Sequence, residues 1–411
     1  MKNNNVSKGI TLITQYFPPE IGGGSQRSIG FAEELRNNNF SVYVVTPFPS
    51  YLMNKEQSKT KFKLFEKYAE NGLTIFRTFV YASDRGNFIK RMAYYLSFTV
   101  SAILVVLFKL PKTDYTITIS PPLFTGIVGV FSKYFKSSKL IFDIGDLWPE
   151  SAIQLGFLTN KFAITLAGKL EKFIYKKSDC INVVTKKTQE KIKTLYNKKC
   201  VFYIPNFVET KLIIKGTKDP TLIRKLNIDG KFIVGYAGNI GSAQGIQTII
   251  EAANLVREKK DILFLIIGDG VDKELVKSKI EFYNLQNVLL LPPVSRIEII
   301  DYINLFDCVI IPLLKNPLFE ITIPSKLYES MAAEIPVILG VAGEAKRILE
   351  KANAGLFFEP ENATELAERV VYFYSNSDLL TGYGRNARKY IMDNFDRAKV
   401  IQHFVNQLKV I

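Results

Sequence analysis

The hydrophobic positions in the first half of the chain fall in short runs separated by helix-length polar or amphipathic segments. These runs are rich in β-branched and aromatic residues, which is typical of strands that alternate with helices in a parallel sheet. They are GITLIT (9–14), SVYVVT (41–46), LTIFRTFV (73–80), YTITIS (115–120), KLIFD (139–143), CINVV (180–184) and VFYIP (201–205). The pattern predicts a doubly wound α/β domain with its first helix over Gln26–Leu35. The charged tract 60–71 is predicted to be a surface excursion.

The same alternation begins again in the second half of the chain. Its apolar runs are KFIVGYAG (231–238), ILFLIIGDG (262–270), NVLLLPP (287–293), CVIIP (308–312), PVILG (336–340) and AGLFFEP (354–360). A Pro-Asn turn signal and polar residues separate the two series, so we place the domain junction near Asn206–Thr210. A length of 411 residues agrees with two cores, since single cores stop growing near about 250 to 300 residues.

One apolar segment, 92–108, has 17 residues without a charge and is flanked by Lys90, Arg91 and Lys109. About 20 apolar residues are typical of a membrane-spanning helix, so this segment is at the lower limit. Three interpretations stay open: a helix that dips into the membrane interface, a buried core helix and a membrane-spanning helix. We prefer the first.

Charge is distributed unevenly between the two halves. Residues 1–210 hold 29 Lys and Arg against 15 Asp and Glu, whereas the remainder is nearly neutral. An excess of +14 predicts an anionic partner for the first half, such as nucleic acid, a membrane surface or a phosphorylated substrate. The alternative is a lysine-rich solvated surface without a partner.

Cysteine and histidine contents exclude several kinds of site. Cys180, Cys200 and Cys308 are far apart and odd in number, so we expect unpaired core residues and neither a disulfide framework nor a zinc cluster. A single histidine, His403 near the C-terminus, disfavours a Ser/His/Asp triad and a multi-histidine metal centre. The N-terminal segment lacks the apolar core of a signal peptide, so we expect a cytoplasmic protein.

A glycine-rich loop at 18–25, PPEIGGGS, follows the first predicted strand and precedes the first predicted helix. Its glycines would let backbone N–H groups approach a ligand at a helix N-terminus. It is not GxGxxG, and Thr46 and Pro47 stand where a dinucleotide site has an acidic residue, so an NAD site is disfavoured.

A second loop and a later cluster suggest an anion site in the second domain. The loop GNIGSAQG (238–245) has the same strand-to-helix position, and IPSKLYESMA (323–332) follows the predicted strand at 308–312. Pro324 suits the first turn of a helix, which would leave the N–H groups of Ser325, Lys326 and Leu327 free to bind an anion. Glu329 lies where it could accept hydrogen bonds from a sugar or ribose diol. The alternative makes Lys326 and Glu329 ordinary solvated charges.

Together these segments resemble a known family. The loop after QYFPPE, FDIGDLWPES (142–151), IPN (204–206), YAGNIGSAQG (236–245), GDG (268–270) and IPSKLYESMA (323–332) are similar to the GT-B glycosyltransferases of family 4. The similarity is greatest to bacterial members of O-antigen and capsule assembly, such as the fucosaminyltransferases. It implies an α/β fold with two Rossmann-like parallel-sheet domains facing a central cleft. The N-terminal domain would be 1–208, completed by a C-terminal helix at 393–411, and the C-terminal domain 209–392.

The resemblance implies a retaining hexosyl transfer from a nucleotide diphosphosugar, with UDP as the nucleotide. We expect an N-acetylated amino sugar as the transferred group. No cofactor and no metal ion are implied, and the sequence has no Asp-x-Asp triplet. The acceptor would be an undecaprenyl-diphosphate-linked saccharide, on the cytoplasmic face of the membrane, with peripheral contact through 88–109. Nucleic acid is not an expected partner.

The resemblance also implies the roles of individual residues. The ribose would be held by Glu329, the base by the turn that contains Arg296, and the diphosphate by Gly238, Asn239, Gly241, Ser325, Lys326 and Leu327. From the other domain, Gly23, Gly24 and Asp146 would face the transferred sugar. Asp146 is also a candidate for steadying the acceptor proton, with a core or capping role as the alternative.

Two departures from the family pattern affect this site. Family members have two glutamates separated by seven residues, whereas eight separate Glu320 from Glu329, and Ile321 matches the first position. Glu320 could still supply the sugar contact if the loop holds an extra residue. The basic residue of the family's C-terminal glycine loop is also missing from GNIGSAQG, so Lys326, Lys315 or Arg296 would carry more of the diphosphate charge.

Two other classes remain as alternatives. A nucleotide-sugar epimerase or phosphorylase of the same shape would be expected to place several histidines or a cofactor lysine in its cleft. A nucleic-acid-binding protein is suggested by the basic half alone, without zinc spacing or an RNA-recognition signature.

Overall fold

A computed structural model describes residues 8–20, 22–50, 63–81, 88–154, 156, 158–295 and 298–411. The chain folds into two compact units. Unit 1 consists of Met1–Phe207 and Arg397–Ile411, and unit 2 consists of Val208–Asp396.

Unit 1 contains eight strands and seven helices within its described residues. The strands are β1 (Gly9–Ile13), β2 (Ser41–Pro47), β3 (Phe65–Glu70), β4 (Leu73–Thr78), β5 (Tyr115–Ser120), β6 (Lys139–Ile144), β7 (Cys180–Val183) and β8 (Val201–Tyr203). The helices are α1 (Gly23–Asn37), α2 (Phe88–Phe108), α3 (Thr125–Lys136), α4 (Glu150–Gln154), α5 (Lys161–Lys177), α6 (Lys186–Tyr196) and α15 (Arg397–Leu408).

These strands form one sheet in the order β3-β4-β2-β1-β5-β6-β7-β8, and all pairs except β3–β4 are parallel. The predicted parallel sheet is therefore confirmed, but the prediction for the tract 60–71 is wrong. Phe65–Glu70 is the antiparallel edge strand β3, paired along its length with β4. The hydrophobic pattern did not predict β3 because its sequence is charged. An edge strand needs only one apolar face and can carry charged residues on the other.

The sheet of unit 1 is covered on both faces. Alternate residues of β1 point to opposite sides, so Leu12 belongs to a core cluster with Phe31 of α1 and Phe404 of α15, whereas Ile13 packs with Phe98 of α2. The rings of Phe31 and Phe404 meet edge to face with centroids 5.3 Å apart. The C-terminal helix α15 thus belongs to unit 1; it begins at Arg397, four residues after the predicted start.

Unit 2 is a second doubly wound domain. Its strands are β9 (Phe232–Ala237), β10 (Ile262–Ile267), β11 (Val288–Leu291), β12 (Cys308–Pro312), β13 (Val337–Gly340) and β14 (Gly355–Phe357). Its helices are α7 (Pro220–Leu226), α8 (Ile246–Leu255), α9 (Lys273–Phe282), α10 (Ile299–Ile303), α11 (Ser325–Ala332), α12 (Glu344–Ala352), α13 (Ala363–Ser375) and α14 (Leu380–Asn394). The sheet has the order β11-β10-β9-β12-β13-β14, and its pairs are parallel.

The expectation of three unpaired cysteines is wrong for two of them. Cys180 and Cys200 form a disulfide, whereas Cys308 is free and buried. The pairing arises because β7 and β8 are neighbouring parallel strands whose register sets Ile181 opposite Val201. Cys180 and Cys200 therefore stand side by side, with Cα atoms 4.8 Å apart. They lie 20 positions apart in sequence, and neither this spacing nor the odd number of cysteines indicates which strands are neighbours.

Helix α2 has one buried and one exposed apolar face. Tyr94, Phe98 and Ala102 are fully buried, whereas Val100 is 60% and Leu104 51% exposed. By length and composition alone, Ile89–Phe108 could cross a membrane, a property that core helices of soluble proteins share. The buried face of α2 therefore fits the prediction of a core helix. The prediction of a helix at the membrane interface concerns its exposed face.

Candidate functional site

The strand order of unit 2 defines where a ligand can bind. Numbered along the unit, the order is third, second, first, fourth, fifth, sixth, so the chain reverses its direction of winding between β9 and β12. In such sheets ligands bind at the carboxyl ends of the two strands that flank the reversal. The loop that follows β9 is GNIGSAQG, and the segment that follows β12 leads to α11. The two sequence motifs therefore share one edge of the sheet.

The glycine loop after β9 is fixed by a second glycine motif, GDG (268–270). The N–H of Gly238 donates to the carbonyl oxygen of Ile267 at 2.9 Å, and the N–H of Ile240 donates to that of Asp269 at 2.8 Å. Gly268 has φ of +159°, and a Cβ at this position would collide with the Gly238 carbonyl oxygen. Only glycine allows this close approach of two backbones. The loop is thus held in place before any ligand arrives.

Lys326 of α11 reaches this loop through a tyrosine. Its Nζ donates to the hydroxyl of Tyr236 at 2.6 Å and lies 3.9 Å from the centre of the tyrosine ring. The same hydroxyl donates to the carbonyl oxygen of Asn239 at 2.5 Å. Tyr236, the fifth residue of β9, therefore joins the helix that carries the positive charge to the glycine loop.

The environment of Lys326 changes its protonation. Desolvation lowers the pKa of Lys326 from 10.5 to about 7, and the negative charge of Glu329 acts in the opposite direction. Burial also raises the pKa of Tyr236, so its phenol is neutral. An anion bound beside Lys326 would favour the protonated form and raise the lysine pKa again.

The start of α11 differs in one detail from the prediction. Pro324 is the N-cap residue, and the N–H of Leu327 donates to the carbonyl oxygen of Pro324 at 3.0 Å. Leu327 is fully buried. It therefore serves the core, and the expectation that its N–H is free is wrong. The N–H groups of Ser325 and Lys326 stand in the first turn, where a helix offers no acceptor of its own.

Glu329 and Glu320 occupy different settings. Glu329 is an exposed residue of α11, one turn after Lys326. Glu320 is exposed within the 3₁₀ turn Phe319–Ile321, which precedes α11. Its backbone packs closely on Gly343, and a Cβ at position 343 would collide with the Glu320 carbonyl oxygen. The backbone at Glu320 is thus anchored to the start of α12.

The remaining predicted residue of this unit, Arg296, lies outside the residues that the structure describes. Its neighbour Ser295 is ordered by a reciprocal pair of hydrogen bonds. The Ser295 N–H donates to Glu298 Oε2 at 3.0 Å, and the Glu298 N–H donates to Ser295 Oγ at 3.2 Å.

Unit 1 has an equivalent reversal of winding, between β1 and β5. Gly23 and Gly24 lie after β1 and are exposed in the first turn of α1, which begins three residues earlier than predicted. Hydrogen bonds of Ser28 hold the loop in place. Ser28 Oγ lies 2.8 Å from Thr14 Oγ1 and donates to the Gly24 carbonyl oxygen at 2.8 Å. Its glycines therefore face solvent from a fixed base.

A buried arginine beneath this loop connects three of the sequence motifs. Arg27 pairs with Asp143 through two hydrogen bonds of 2.7 and 2.8 Å, and both side chains are at most 5% exposed. The guanidinium also donates to the carbonyl oxygens of Ile204 and Pro205, each at 3.1 Å, and to Asn206 Oδ1 at 3.2 Å. The segments FDIGD and IPN are thus joined to the helix that follows the glycine loop.

Asp146 lies three residues after Asp143, beyond the end of β6, and is exposed. Desolvation raises the pKa of its carboxyl, but solvent at an exposed position limits the size of that rise. Its exposed side chain does not fit the core role that we considered for Asp146, and the capping role stays a prediction.

Two residues of these sites, Tyr236 and Arg27, are missing from the sequence prediction. A tyrosine at a strand end and an arginine in an amphipathic helix carry no motif of their own. Arg27 could have been suspected because it follows the glycine loop, where an arginine in the first turns of a helix faces either ligand or core.

Comparison with known proteins agrees with this architecture. Residues 218–390 match the family described as Glycosyl transferases group 1. The chain is 23% identical over 408 residues to the putative colanic acid biosynthesis glycosyl transferase WcaI of Escherichia coli (strain K12), covering 96% of this chain and 98% of that protein. These findings confirm the resemblance at the level of the family, whereas the narrower similarity to fucosaminyltransferases stays a prediction.

Two solved structures share the fold. Sucrose-phosphate synthase from Thermosynechococcus elongatus has a TM-score of 0.73 at 16% identity, covering 98% of this chain and 99% of that one. Alr3699/HepE from Anabaena, solved in complex with UDP, has a TM-score of 0.71 at 14% identity, covering 98% of this chain and 100% of that one. The predicted pair of Rossmann-like domains is confirmed.

Proposed function

We propose that this chain, whose residues 218–390 match the group 1 glycosyltransferases and which has the GT-B fold, transfers a sugar from a UDP-sugar to a lipid-linked saccharide in bacterial surface polysaccharide synthesis. The observation that carries the proposal is the joined site at the edge of unit 2. There, Lys326 and the first turn of α11 meet a glycine loop that a tyrosine and a second glycine motif hold in place. Fixed N–H donors and a lysine are suited to a diphosphate.

The proposed reaction needs little from the protein besides this positive charge. The bond between the sugar C1 and the diphosphate oxygen breaks, and UDP leaves with the bonding electrons. An acceptor hydroxyl oxygen bonds to C1 on the face from which UDP departs, and its proton passes to the leaving phosphate oxygen. Donors that are already in position stabilise the charge that develops on the leaving group. We propose that transfer retains configuration and requires neither metal ion nor cofactor.

We assign the remaining roles as follows. Glu329 accepts hydrogen bonds from the ribose, Ser325 and the loop from Gly238 to Gly241 hold the diphosphate, and Glu320 contacts the transferred sugar. In unit 1, Asp146 steadies the acceptor hydroxyl. UDP as the nucleotide is supported by the complex of the structural relative HepE. An N-acetylated amino sugar is our proposal for the transferred group.

An acceptor on a lipid diphosphate would be met at the cytoplasmic membrane face, and unit 1 has a surface suited to it. Helix α2 packs on α3, and α3 on α5, and two of these helices expose apolar stripes at helical spacing. On α2 the stripe consists of Ile89, Leu96, Val100, Leu104 and Phe108, and on α5 of Phe162, Leu166 and Phe173. Residues 88–142 hold seven Lys and Arg against one acidic residue. Apolar area beside basic residues is the composition of a peripheral membrane contact.

Replacing Glu329 with alanine is expected to weaken donor binding by about 10- to 100-fold, because a hydrogen bond to a charged group contributes about 1.5 to 3 kcal/mol. Isothermal titration with UDP-sugar measures this loss. The matched control is Glu368→Ala, at an exposed glutamate of the same unit, which should bind normally. Normal donor affinity in Glu329→Ala would remove the ribose assignment.

Replacing Tyr236 with phenylalanine removes the hydroxyl that accepts from Lys326 and donates to Asn239. Donor affinity should fall by about three- to tenfold, because Lys326 and the glycine loop lose the hydroxyl that joins them. Without its acceptor the ammonium is less stable, so the pH above which donor binding weakens should move to lower values. A profile of donor affinity against pH checks both effects. A role in packing alone would lower the melting temperature and leave that pH unchanged.

Wild-type protein is expected to sediment with anionic vesicles and only weakly with neutral ones, because each basic residue near an anionic surface contributes about 1 kcal/mol. Changing Val100, Leu104 and Phe108 to serine should reduce sedimentation with anionic vesicles, and these exposed positions can lose their apolar groups without loss of the core. Equal binding to both vesicle types, or binding that the serine variant leaves unchanged, would exclude α2 as the contact.

A further inference from the structure

The surface of unit 1 contains an apolar groove of about 590 Å³. It runs between the exposed face of α2 and the edge of the sheet. Its walls are Leu64 and Phe65 of the edge hairpin, Phe79 after β4, and Leu96, Val100, Leu104 and Phe108 of α2. The volume falls within the range of about 300 to 1,000 Å³ that is typical of small-molecule sites.

The two serine hydroxyls in the groove are already hydrogen-bonded within the chain. Ser97 Oγ accepts from the N–H of Tyr81 at 2.8 Å and donates to the carbonyl oxygen of Tyr94 at 3.0 Å. Ser101 Oγ donates to the carbonyl oxygen of Phe79 at 2.6 Å. A ligand in the groove therefore meets hydrocarbon on its walls and needs no hydrogen-bonding groups of its own.

The lining of the groove includes one charged residue. This residue is Lys109, which directly follows the C-terminal end of α2. An apolar groove with one cation in its lining matches a hydrocarbon chain with an anionic head. A neutral or cationic amphiphile would lack the charge complement.

We propose that this groove binds one hydrocarbon chain of an anionic lipid, so that unit 1 holds an individual lipid in addition to resting on the membrane. The inference rests on the proposed membrane contact of unit 1 and deepens it. A lipid held in this way would fix the orientation of unit 1 on the membrane surface.

The test uses fluorescently labelled palmitate, below its micelle concentration and without vesicles, titrated into the full-length protein. Wild type should bind it saturably at one site. Val100→Trp fills the groove from an exposed position and should weaken binding by at least about tenfold, the loss expected for about 1.4 kcal/mol of contact. Val410→Trp, an exposed valine of the same unit, should bind like wild type. Lys109→Gln should weaken binding of the acid but not of the corresponding alcohol.

The two proposals fail in different ways. Val100→Trp keeps the apolar surface, so its sedimentation with anionic vesicles should equal that of wild type. Vesicle binding without saturable palmitate binding, or palmitate binding that Val100→Trp leaves unchanged, would overturn the groove alone. Absence of vesicle binding in wild type would overturn the membrane contact as well. Circular dichroism of each variant verifies that its fold is intact.

Discussion

Lys326→Met is expected to lower kcat/KM for sugar transfer by about 100- to 1,000-fold, the effect typical of removing one preorganised donor to a developing negative charge. Lys326 supplies the side-chain charge at the start of α11, and the glycine loop has no basic residue to replace it. Because the charge assists donor binding and departure of the leaving group alike, both KM and kcat should change. Steady-state kinetics with UDP-sugar at low salt measures the loss.

The same substitution should stabilise the protein without ligand. Unfolded lysine has a pKa near about 10.4, whereas burial lowers that of folded Lys326 to about 7. Between these values the unfolded state binds more protons, so this group makes stability rise as pH rises. At neutral pH methionine removes the cost of burying the charge, and the melting temperature should increase.

The matched control is Lys277→Met, at an exposed lysine of the same unit. It should alter neither kinetics nor melting temperature by a comparable amount. Wild-type kinetics in Lys326→Met would show that the lysine does not contact the diphosphate, whatever the melting temperature.

Arg27→Met is expected to destabilise unit 1 by about 3 to 5 kcal/mol, because it leaves the buried carboxylate of Asp143 without its cationic partner and with only the amide of Asn182 as a donor among the described residues. The loss should be confined to unit 1. Two units need not unfold together, so hydrogen exchange of peptides covering β6 and residues 201–206 measures it better than a single melting temperature.

Arg257→Met is the control for Arg27. Arg257 pairs with Glu258 at 3.5 Å, but these side chains are 56% and 88% exposed, and such pairs contribute about 0 to 1 kcal/mol. If hydrogen exchange at β6 is the same in Arg27→Met as in wild type, the buried ion pair does not hold the loop, β6 and the segment 204–206 together.

The sequence predicted the elements whose physical signal is local. Runs such as YTITIS and CVIIP became strands with the predicted bounds, because both faces of a central parallel strand are buried and the run is apolar throughout. Strand β3 was not predicted because it lies at the edge of the sheet. One side of an edge strand is exposed, so its sequence resembles that of a charged loop.

The parts of the site that were missed depend on which strands and loops are neighbours. Sheet order and register place Cys180 beside Cys200. They also place Tyr236 between Lys326 and Asn239. The free N–H of Leu327 was predicted from an idealised helix start, whereas Pro324 as N-cap accepts a hydrogen bond from it. Motifs locate the edge of the sheet where a ligand binds, but not the buried side chains that hold the motifs together.

The proposed nucleotide-sugar site is tested most directly by the thermal stability of the protein with a panel of nucleotide sugars, in buffer that contains EDTA. At 100 times its dissociation constant, a ligand that binds the native state adds about 2.7 kcal/mol. A metal-independent nucleotide-sugar site at Lys326 predicts that at least one UDP-sugar raises the melting temperature without metal, and that Lys326→Met loses this response. No stabilisation by any nucleotide sugar, or stabilisation that requires Mg²⁺ or persists in Lys326→Met, would contradict it.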